Sequence, residues 1–547
     1  MSLCRIQSVV LIVVLSVSAP RVAAGADGGD AEAGRMLYQH GQLASGQLLQ
    51  AQGFGDTEVR GELAACVRCH RRSGFGSYEG GFYIPPITQP YLLGGRRLSR
   101  DDRFRALFMQ AQTAEFRHQV RRIRDHEPYD MDTLGTVLRS GLDPDGRVLE
   151  ELMPRYQLDE IDLHNLVAYL RTLSVQISEG VGEQHVELAT IVHRDVPEAS
   201  REALVGTIAS FTEWYNTRTL GDLQLAGHSV YGSSLYTRYS RLYRMHVWEI
   251  EGPPQSWREQ LEAHYARQPV FALISGITEG PWAEIGAFSD EHGIPTLFPI
   301  TDLPHVPGPL GGYTVYFNRG MLLESELIAT QLDQRNPVVV QRVGDSAAEQ
   351  AAAAHLAKSL GQEARIHSVA AADTVIGAVA ADVLVVWQRD PDPLEVERWW
   401  RDSGASLVYL PASAVAEMSA SASAELRQAL RFSWTDALAS DAYPERFRVR
   451  AWMNTRGLDY AATDVQFRAW YAMSMFRDSF IHLLDHFHRD FLLEVLEHQI
   501  QGSPNPGLYP DMQLAPEQRF ASRSGYIVEL APEQPGGVVA LSERIVP

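Results

Sequence analysis

What this chain has little of narrows it first. Cysteine occurs three times in 547 residues, as Cys4, Cys66 and Cys69. No second Cys/His pair accompanies Cys66 and Cys69, so the roughly four ligands of a structural zinc site are missing. Positive charge is in deficit: the formal net charge is −20, made up of −3 over residues 27–175, −19 over residues 176–547 and +2 from Arg5 and Arg21. Such acidity argues against nucleic acid or an anionic membrane as the main partner, because either would repel that surface. Beyond the first 24 residues no apolar stretch reads as a membrane span, which needs about 20 residues. No nucleophile elbow, Walker loop or metal triad is found, so catalysis is not expected. No internal repeat or low-complexity tract is apparent, and the length suits about three compact units.

The first 24 residues read as a cleaved secretory signal: one early arginine (Arg5), an apolar run from Val9 to Val17, and the small-residue end Val22-Ala23-Ala24, with Ala26 as an alternative. An uncleaved anchor is the other reading. Cys4 precedes the apolar run and would leave with the signal. The product is expected to be soluble and periplasmic.

Cys66-Val67-Arg68-Cys69-His70 then stands out. Two thiols at this spacing can each form a thioether to a haem vinyl group, and the adjacent histidine is placed under the iron as its proximal ligand. A redox C-x-x-C pair would need no following histidine. The reading is one covalent haem c, held by Cys66, Cys69 and His70. Upstream, residues Asp30 to Tyr38 predict a short amphipathic helix capped by Asp30, with Gly34, Leu37 and Tyr38 along one face, the glycine letting another helix come close. Downstream, Phe82 to Ile87 is expected to be extended, because Pro85 and Pro86 disfavour helix before them. A carbonyl there can accept the Nδ1 proton of His70 and leave Nε2 for iron; a proline-rich loop without special role is the alternative.

For the sixth ligand, Met153 lies in a Pro-stiffened loop, Glu151 to Tyr156, just before an amphipathic helix running from Leu158 to Arg171. Met109, Met131, His118, His126 and His164 are less economical candidates. The order of helix, C-x-x-C-H, Pro-containing loop, Gly141-Leu142-Asp143-Pro144-Asp145-Gly146, Met-Pro and closing helix resembles a monohaem class I cytochrome c over residues 30–175. The resemblance implies a small all-helical haem fold, His70 and Met153 as axial ligands, and one-electron transfer. An arginine-rich segment between Leu98 and Asp132 departs from the compact family pattern and reads as a docking face for an acidic partner or for the acidic second part of this chain, or as a solvated helix face.

From Val186 the pattern changes. Strands are predicted at 186–192, 243–250 and 270–275, with helices at 198–216, 257–266 and 282–292. A second series has strands at 313–318, 337–343, 365–369, 382–387 and 406–410, helices at 346–360 and 394–403, and a long helical stretch at 464–500 broken near Asp485. Alternating strands and helices give parallel sheets with helices on both faces, here in two lobes. This order, with the segment Gly276 to Pro295, resembles type I periplasmic binding proteins, the Leu/Ile/Val-binding and amino-acid-type solute receptors of ABC transporters, over residues 186–547. The expected architecture is thus multidomain: an all-α cytochrome c domain followed by a two-lobed α/β domain.

Such receptors close two lobes on a ligand held by loops at the carboxyl ends of strands. The matching loop runs from Ser275 to Trp282, with Ser275, Thr278, Glu279 and Trp282 as candidate ligand-binding residues. Glu279 and Trp282 depart from the amino-acid type and put such a ligand in doubt. Glu279 also reads as a solvated carboxylate, and Trp282 as core or as a lid. The expected function is periplasmic electron transfer between a dehydrogenase or respiratory chain and a redox partner, with a fused small-molecule-binding or partner-docking domain. The alternative is a solute receptor or sensor whose haem reports redox state or gas.

Overall fold

The computed structural model describes residues 28–79, 82–94, 126–226, 240–306, 308, 311–332, 337–361, 365–370, 380–502, 505, 507–516, 518–531 and 537–547. The signal segment and the arginine-rich segment, with Met109 and His118, lie outside the described residues. The described residues form two compact units, one ending at Val175 and one beginning at Gln176.

The first unit contains helices α1 (Ala31–His40), α2 (Val67–His70), α3 (Gln89–Leu92), α4 (Met131–Ser140) and α5 (Glu160–Leu170), and strands β1 (Gln50–Gln52), β2 (Glu58–Arg60), β3 (Ser77–Glu79), β4 (Phe82–Ile84) and β5 (Arg155–Tyr156). Asp30 caps α1 by accepting from the amides of Glu32 and Ala33, and Gly41 ends it at φ +60°. Helix α1 crosses α5 at Gly34, where a Cβ would lie 2.0 Å from the Asn165 carbonyl oxygen. Only glycine permits that approach. Tyr38 and Tyr169 pack with ring centroids 5.2 Å apart beside the crossing.

Two expectations need correction. The unit is not all helical, because β2-β1-β5 form an antiparallel sheet and β3-β4 a hairpin. It also contains a repeat of local structure. After α1, Gly41 leads into a tight hairpin in which Leu49 N donates to Gly41 O at 2.8 Å and Gly46 N to Leu43 O at 2.8 Å. After α4, Gly141 leads into the same hairpin, with Leu149 N on Gly141 O at 2.8 Å and Gly146 N on Asp143 O at 3.0 Å. The shared frame is Gly-x4-Gly-x2-Leu, with all four glycines at positive φ. The intervening residues differ, so the periodicity of composition does not reveal it.

The second unit has two lobes. In the first, β6 (His185–His193), α6 (Glu198–Ala226), β7 (Leu242–Ile250), α7 (Trp257–Arg267), β8 (Ala272–Ile274), α8 (Ala283–His292), β9 (Thr296–Leu297) and β10 (Thr314–Val315) build a parallel sheet in the order β10-β9-β8-β6-β7. In the second, α9 (Met321–Leu332), β11 (Val338–Val343), α10 (Ala347–Leu360), β12 (Arg365–Ala370), β13 (Val383–Trp387), α11 (Pro393–Ser403), β14 (Leu407–Pro411), α12 (Val415–Ser421), α13 (Ala424–Ala429) and β15 (Leu430–Trp434) repeat the plan. Its sheet runs β12-β11-β13-β14-β15 in parallel and continues with antiparallel β16 (Tyr526–Leu530) and β17 (Val538–Ala540). Strand β13 is buried along its whole length, as a central strand covered on both faces should be.

The chain crosses between the lobes three times: from β10 into α9, from β15 into α14 (Ala439–Asn454), and in the tail before β16. Helices α14, α15 (Thr463–Ile481) and α16 (Arg489–Gly502) return to the first lobe and share its main core with β6, α6 and β8. The tail passes that lobe again, where Tyr316 N donates to Arg519 O at 2.7 Å, before entering the second sheet. Among the described residues no helix is long and apolar enough to cross a membrane.

Candidate functional site

In the first unit, one helical turn carries the cysteine pair. Cys66 is the N-cap of α2 and is buried, Cys69 lies within the turn and is exposed, and His70, its last residue, is buried. Burial pushes the Cys66 thiol up to about 12. Burial also pushes His70 down to about 4, against the opposing pull of its bond to Pro85. The imidazole is therefore neutral at pH 7, the form in which histidine binds metal. Its Nδ1 lies 3.0 Å from the carbonyl oxygen of Pro85, which can only accept, so Nδ1 carries the proton and Nε2 keeps a free lone pair.

The backbone around this turn is built to hold it. A Cβ on Gly76 would fall 2.1 Å from the Ile84 carbonyl oxygen, so this glycine admits the extended segment, and Ile87 N fixes it by donating to Gly74 O at 2.8 Å. Pro86 follows Pro85 and keeps it extended. Arg71, directly after His70, adopts φ 65°, ψ 174°, a region that side chains rarely occupy. Its carbonyl accepts a 2.6 Å hydrogen bond from Tyr38 Oη, which ties the strained residue to α1.

Met153 is half-buried in a turn closed by its own amide donating to Glu150 O at 3.1 Å. Three residues on, the buried Tyr156 feels both Cys66 and Cys69 electrostatically, and its phenol is held well above its usual range chiefly by desolvation. The pairing of β5 with β1 thus brings the strand that follows Met153 beside the cysteine turn. Of the other described candidates, Met131 opens α4, and His126 and His164 set Nδ1 against the carbonyls of Glu127 and Glu160. Sequence reading placed Tyr38 on a helix face without its bond to Arg71, and assigned no role to Arg71, Arg155 or Tyr156; the alternating Arg155-Tyr156 pair ahead of Leu158 is the one signal available for a short strand.

In the loop after β8, Glu279 and Trp282 take the solvated and core alternatives. Ser275 is fully buried at φ 56°, with its Oγ unpartnered among the described residues. Thr278 is buried and donates to Gly280 O at 3.1 Å, while Glu279 is exposed. Trp282 is not a lid. It is fully buried in a core of the first lobe with Ile191, Trp248, Trp257, Ile285 and Phe288, on the side covered by α7 and α8. Seven residues past its loop's start, this large apolar ring at a helix N-cap is held by packing and leaves Ser275 and Thr278 as the buried hydroxyls of the loop. The Glu279 and Trp282 argument against an amino-acid ligand therefore lapses.

Backbone strain clusters here as well: Phe298, just after β9, has φ 57° near the strained Ser275 just after β8. Facing these ends, Asp302 beyond β9 forms an ion pair with Arg389 beyond β13, so the carboxyl edges of the two sheets oppose each other. On the second-lobe side, Glu324 of α9 accepts from Ala412 N at 2.9 Å and Ser433 Oγ at 2.6 Å, at the ends of β14 and β15. Burial is the main cause that raises Glu324 to about 7, outweighing these two bonds. Where the chain passes between the lobes, Arg468 donates to Tyr509 Oη at 2.9 Å and lies 3.6 Å from Asp436. None of these charged residues was singled out in the sequence, because they are contributed by helices and loops about 30 to 110 residues apart.

No family model matches the chain, and no curated protein is similar enough to match. Solved structures of similar fold cover about two thirds of it. A branched-chain amino acid ABC transporter protein from Thermus thermophilus with bound valine is 11% identical, covering 67% of this chain and 98% of its own, at a TM-score of 0.47. A fatty acid ABC transporter substrate-binding protein from Thermomonospora curvata is 12% identical, with 68% and 95% coverage and a TM-score of 0.46. A solute-binding protein from R. palustris in complex with benzoate is 13% identical, with 66% and 97% coverage and a TM-score of 0.45.

Proposed function

We propose that this chain is an exported binding protein in two parts: a unit holding one covalent haem c, and a two-lobed receptor unit that closes on a small molecule. The observation that carries the receptor half is the pair of lobes with matching strand order whose carboxyl edges oppose each other across the Asp302 to Arg389 ion pair. Ligands of open parallel sheets bind at those edges. Ser275, Thr278 and Glu324 are the polar groups best placed to meet one, and no catalytic role is proposed for them.

The haem half rests on the donor set. Two thiols sit on one turn, and a neutral imidazole is held by Pro85 O with Nε2 free. That is the arrangement a thioether-bound haem with a histidine axial ligand requires. Cys66 and Cys69 would hold the porphyrin, and His70 and Met153 the iron. When bound, the haem supplies a one-electron couple. The chain's own contribution is the His70 tautomer fixed by Pro85, the Tyr38 bond that secures the strained backbone at Arg71, and the apolar cover that keeps water from the buried thiol.

A second reading is electron transfer with a periplasmic redox partner, favoured by the tethered Met153 turn, since a firmly held thioether leaves little room for a gas. Spectra of both oxidation states, with and without carbon monoxide, separate the two. Rapid carbon monoxide binding by the ferrous protein supports a sensing haem, and a closed six-coordinate spectrum supports electron transfer. Absence of covalent haem from protein made in a haem-attaching host defeats both.

A further inference from the structure

The Met153 turn is closed by a side chain as well as by the main chain. The Arg155 guanidinium donates through Nη2 to the Leu149 carbonyl at 2.8 Å and through Nη1 to the carbonyl of Met153 itself. It therefore cross-links the two ends of the segment Leu149 to Met153. The anchors at either side are firm: Leu149 N is bonded to Gly141 O at 2.8 Å, and the Arg155 backbone pairs with Gln52 in the β5–β1 ladder. Gly141 makes the space, for a Cβ there would lie 2.2 Å from the guanidinium carbon. Among the described residues Arg155 forms no ion pair, so both of these bonds are spent on carbonyls of this one turn. A planar guanidinium with donors in a fixed fork suits two carbonyls at a set separation, which a lysine ammonium matches less well.

We propose that Arg155 is the positioning residue for Met153, holding the turn at the geometry in which the thioether meets the haem iron. The inference rests on the reading of Met153 as sixth ligand. Without the cross-link the turn gains conformational freedom, and the thioether competes less well with water, hydroxide or an added ligand.

The experiment uses the full-length haem-loaded protein and the variants Arg155→Ala, Arg155→Lys and Met153→Ala. Three quantities are read: the near-infrared sulfur-to-iron band of the ferric form, the pH at which that band is lost, and the rate of carbon monoxide binding to the ferrous form. Arg155→Ala is expected to lower the midpoint pH by at least one unit, about a tenfold shift of the ligated equilibrium, and to speed carbon monoxide binding. Arg155→Lys should recover part of both. Thermal melting of each variant separates general loss of stability, which would leave the midpoint unmoved. If Arg155→Ala does not accumulate, Arg155→Lys decides by the same readings. A wild-type band that survives in Met153→Ala removes the ligand reading itself. A band that disappears in Met153→Ala but keeps the wild-type midpoint and carbon monoxide rate in the Arg155 variants overturns the positioning role alone.

Discussion

The two units place their functional groups in opposite ways. In the first, the thiols and imidazole proposed to hold a haem sit within five consecutive residues, and their support comes from single close approaches: Gly34 under Asn165, Gly76 under Ile84, and Tyr38 on the carbonyl of Arg71. In the second, the polar groups proposed to meet a ligand come from separate loops and helices between Ser275 and Ser433, beside large apolar cores. A site made of adjacent residues depends on local geometry, so one misplaced atom is felt. A site assembled from distant elements depends on the packing that holds those elements, so damage is spread unless a large core residue is lost.

The sharpest break of this contrast is expected at the cysteine turn. Replacing Cys66 and Cys69 together by alanine should abolish covalent haem, read as loss of haem staining on denaturing gels, while leaving the thermal transition of the second unit in place. Next in size, Trp282→Ala should destabilise the second unit by about 3–5 kcal/mol, the usual cost of emptying a buried aromatic site, with covalent haem content unchanged. If the melting temperature barely moves, the core placement of Trp282 is wrong.

A ligand that closes the cleft should stabilise the second unit by about 2.7 kcal/mol at a hundredfold excess over Kd. A thermal-shift screen of the full-length protein against amino acids, organic acids, aromatics and alcohols checks this, and silence across all classes counts against a receptor. Gly34→Ala should cost the first unit about 1–3 kcal/mol, as overpacking does, because its Cβ would meet the Asn165 carbonyl rather than a movable side chain. Denaturant melts followed by haem absorbance would show it. The smallest effect concerns Glu324, raised from 4.5 to about 7 chiefly by burial. The folded form holds that proton more tightly than the unfolded chain does. Its stabilising share is therefore complete below about pH 4.5 and is lost as pH rises through about 7. Glu324→Gln should flatten the pH dependence of the second unit's melting temperature across that window, and an unaltered slope would refute the assignment.

Some of this was written in short stretches of sequence. The cysteine spacing, the Asp30 cap, the Gly34, Leu37 and Tyr38 face, and the extended conformation at Pro85 follow from neighbours within a few residues, where sterics and hydrogen bonding act locally, and the His70 bond to Pro85 spans fifteen. The alternation of strands and helices from Val186 onward likewise marked two α/β lobes, while the central place of β13 came from the fold. Less was legible where elements are short or weakly patterned. The two-residue strand β5 and the helices and strand between Val415 and Trp434 lie in stretches with no clear period.

What tertiary structure alone decided is the company each residue keeps. Trp282 reads equally as lid or core from its own segment, and only the packing of α7 and α8 over the first sheet puts it inside. The repeated glycine hairpin is invisible to composition because two backbone turns can be alike while their side chains differ. The Asp302 to Arg389 pair, the Glu324 bonds and the Arg155 cross-link depend on where folded elements bring their ends. Sequence by itself determined the local conformations and the spacing of the cysteine turn, because those act over a few bonds. The cleft groups and the turn at Met153 were left to the fold, because long-range contacts have no fixed spacing along the chain.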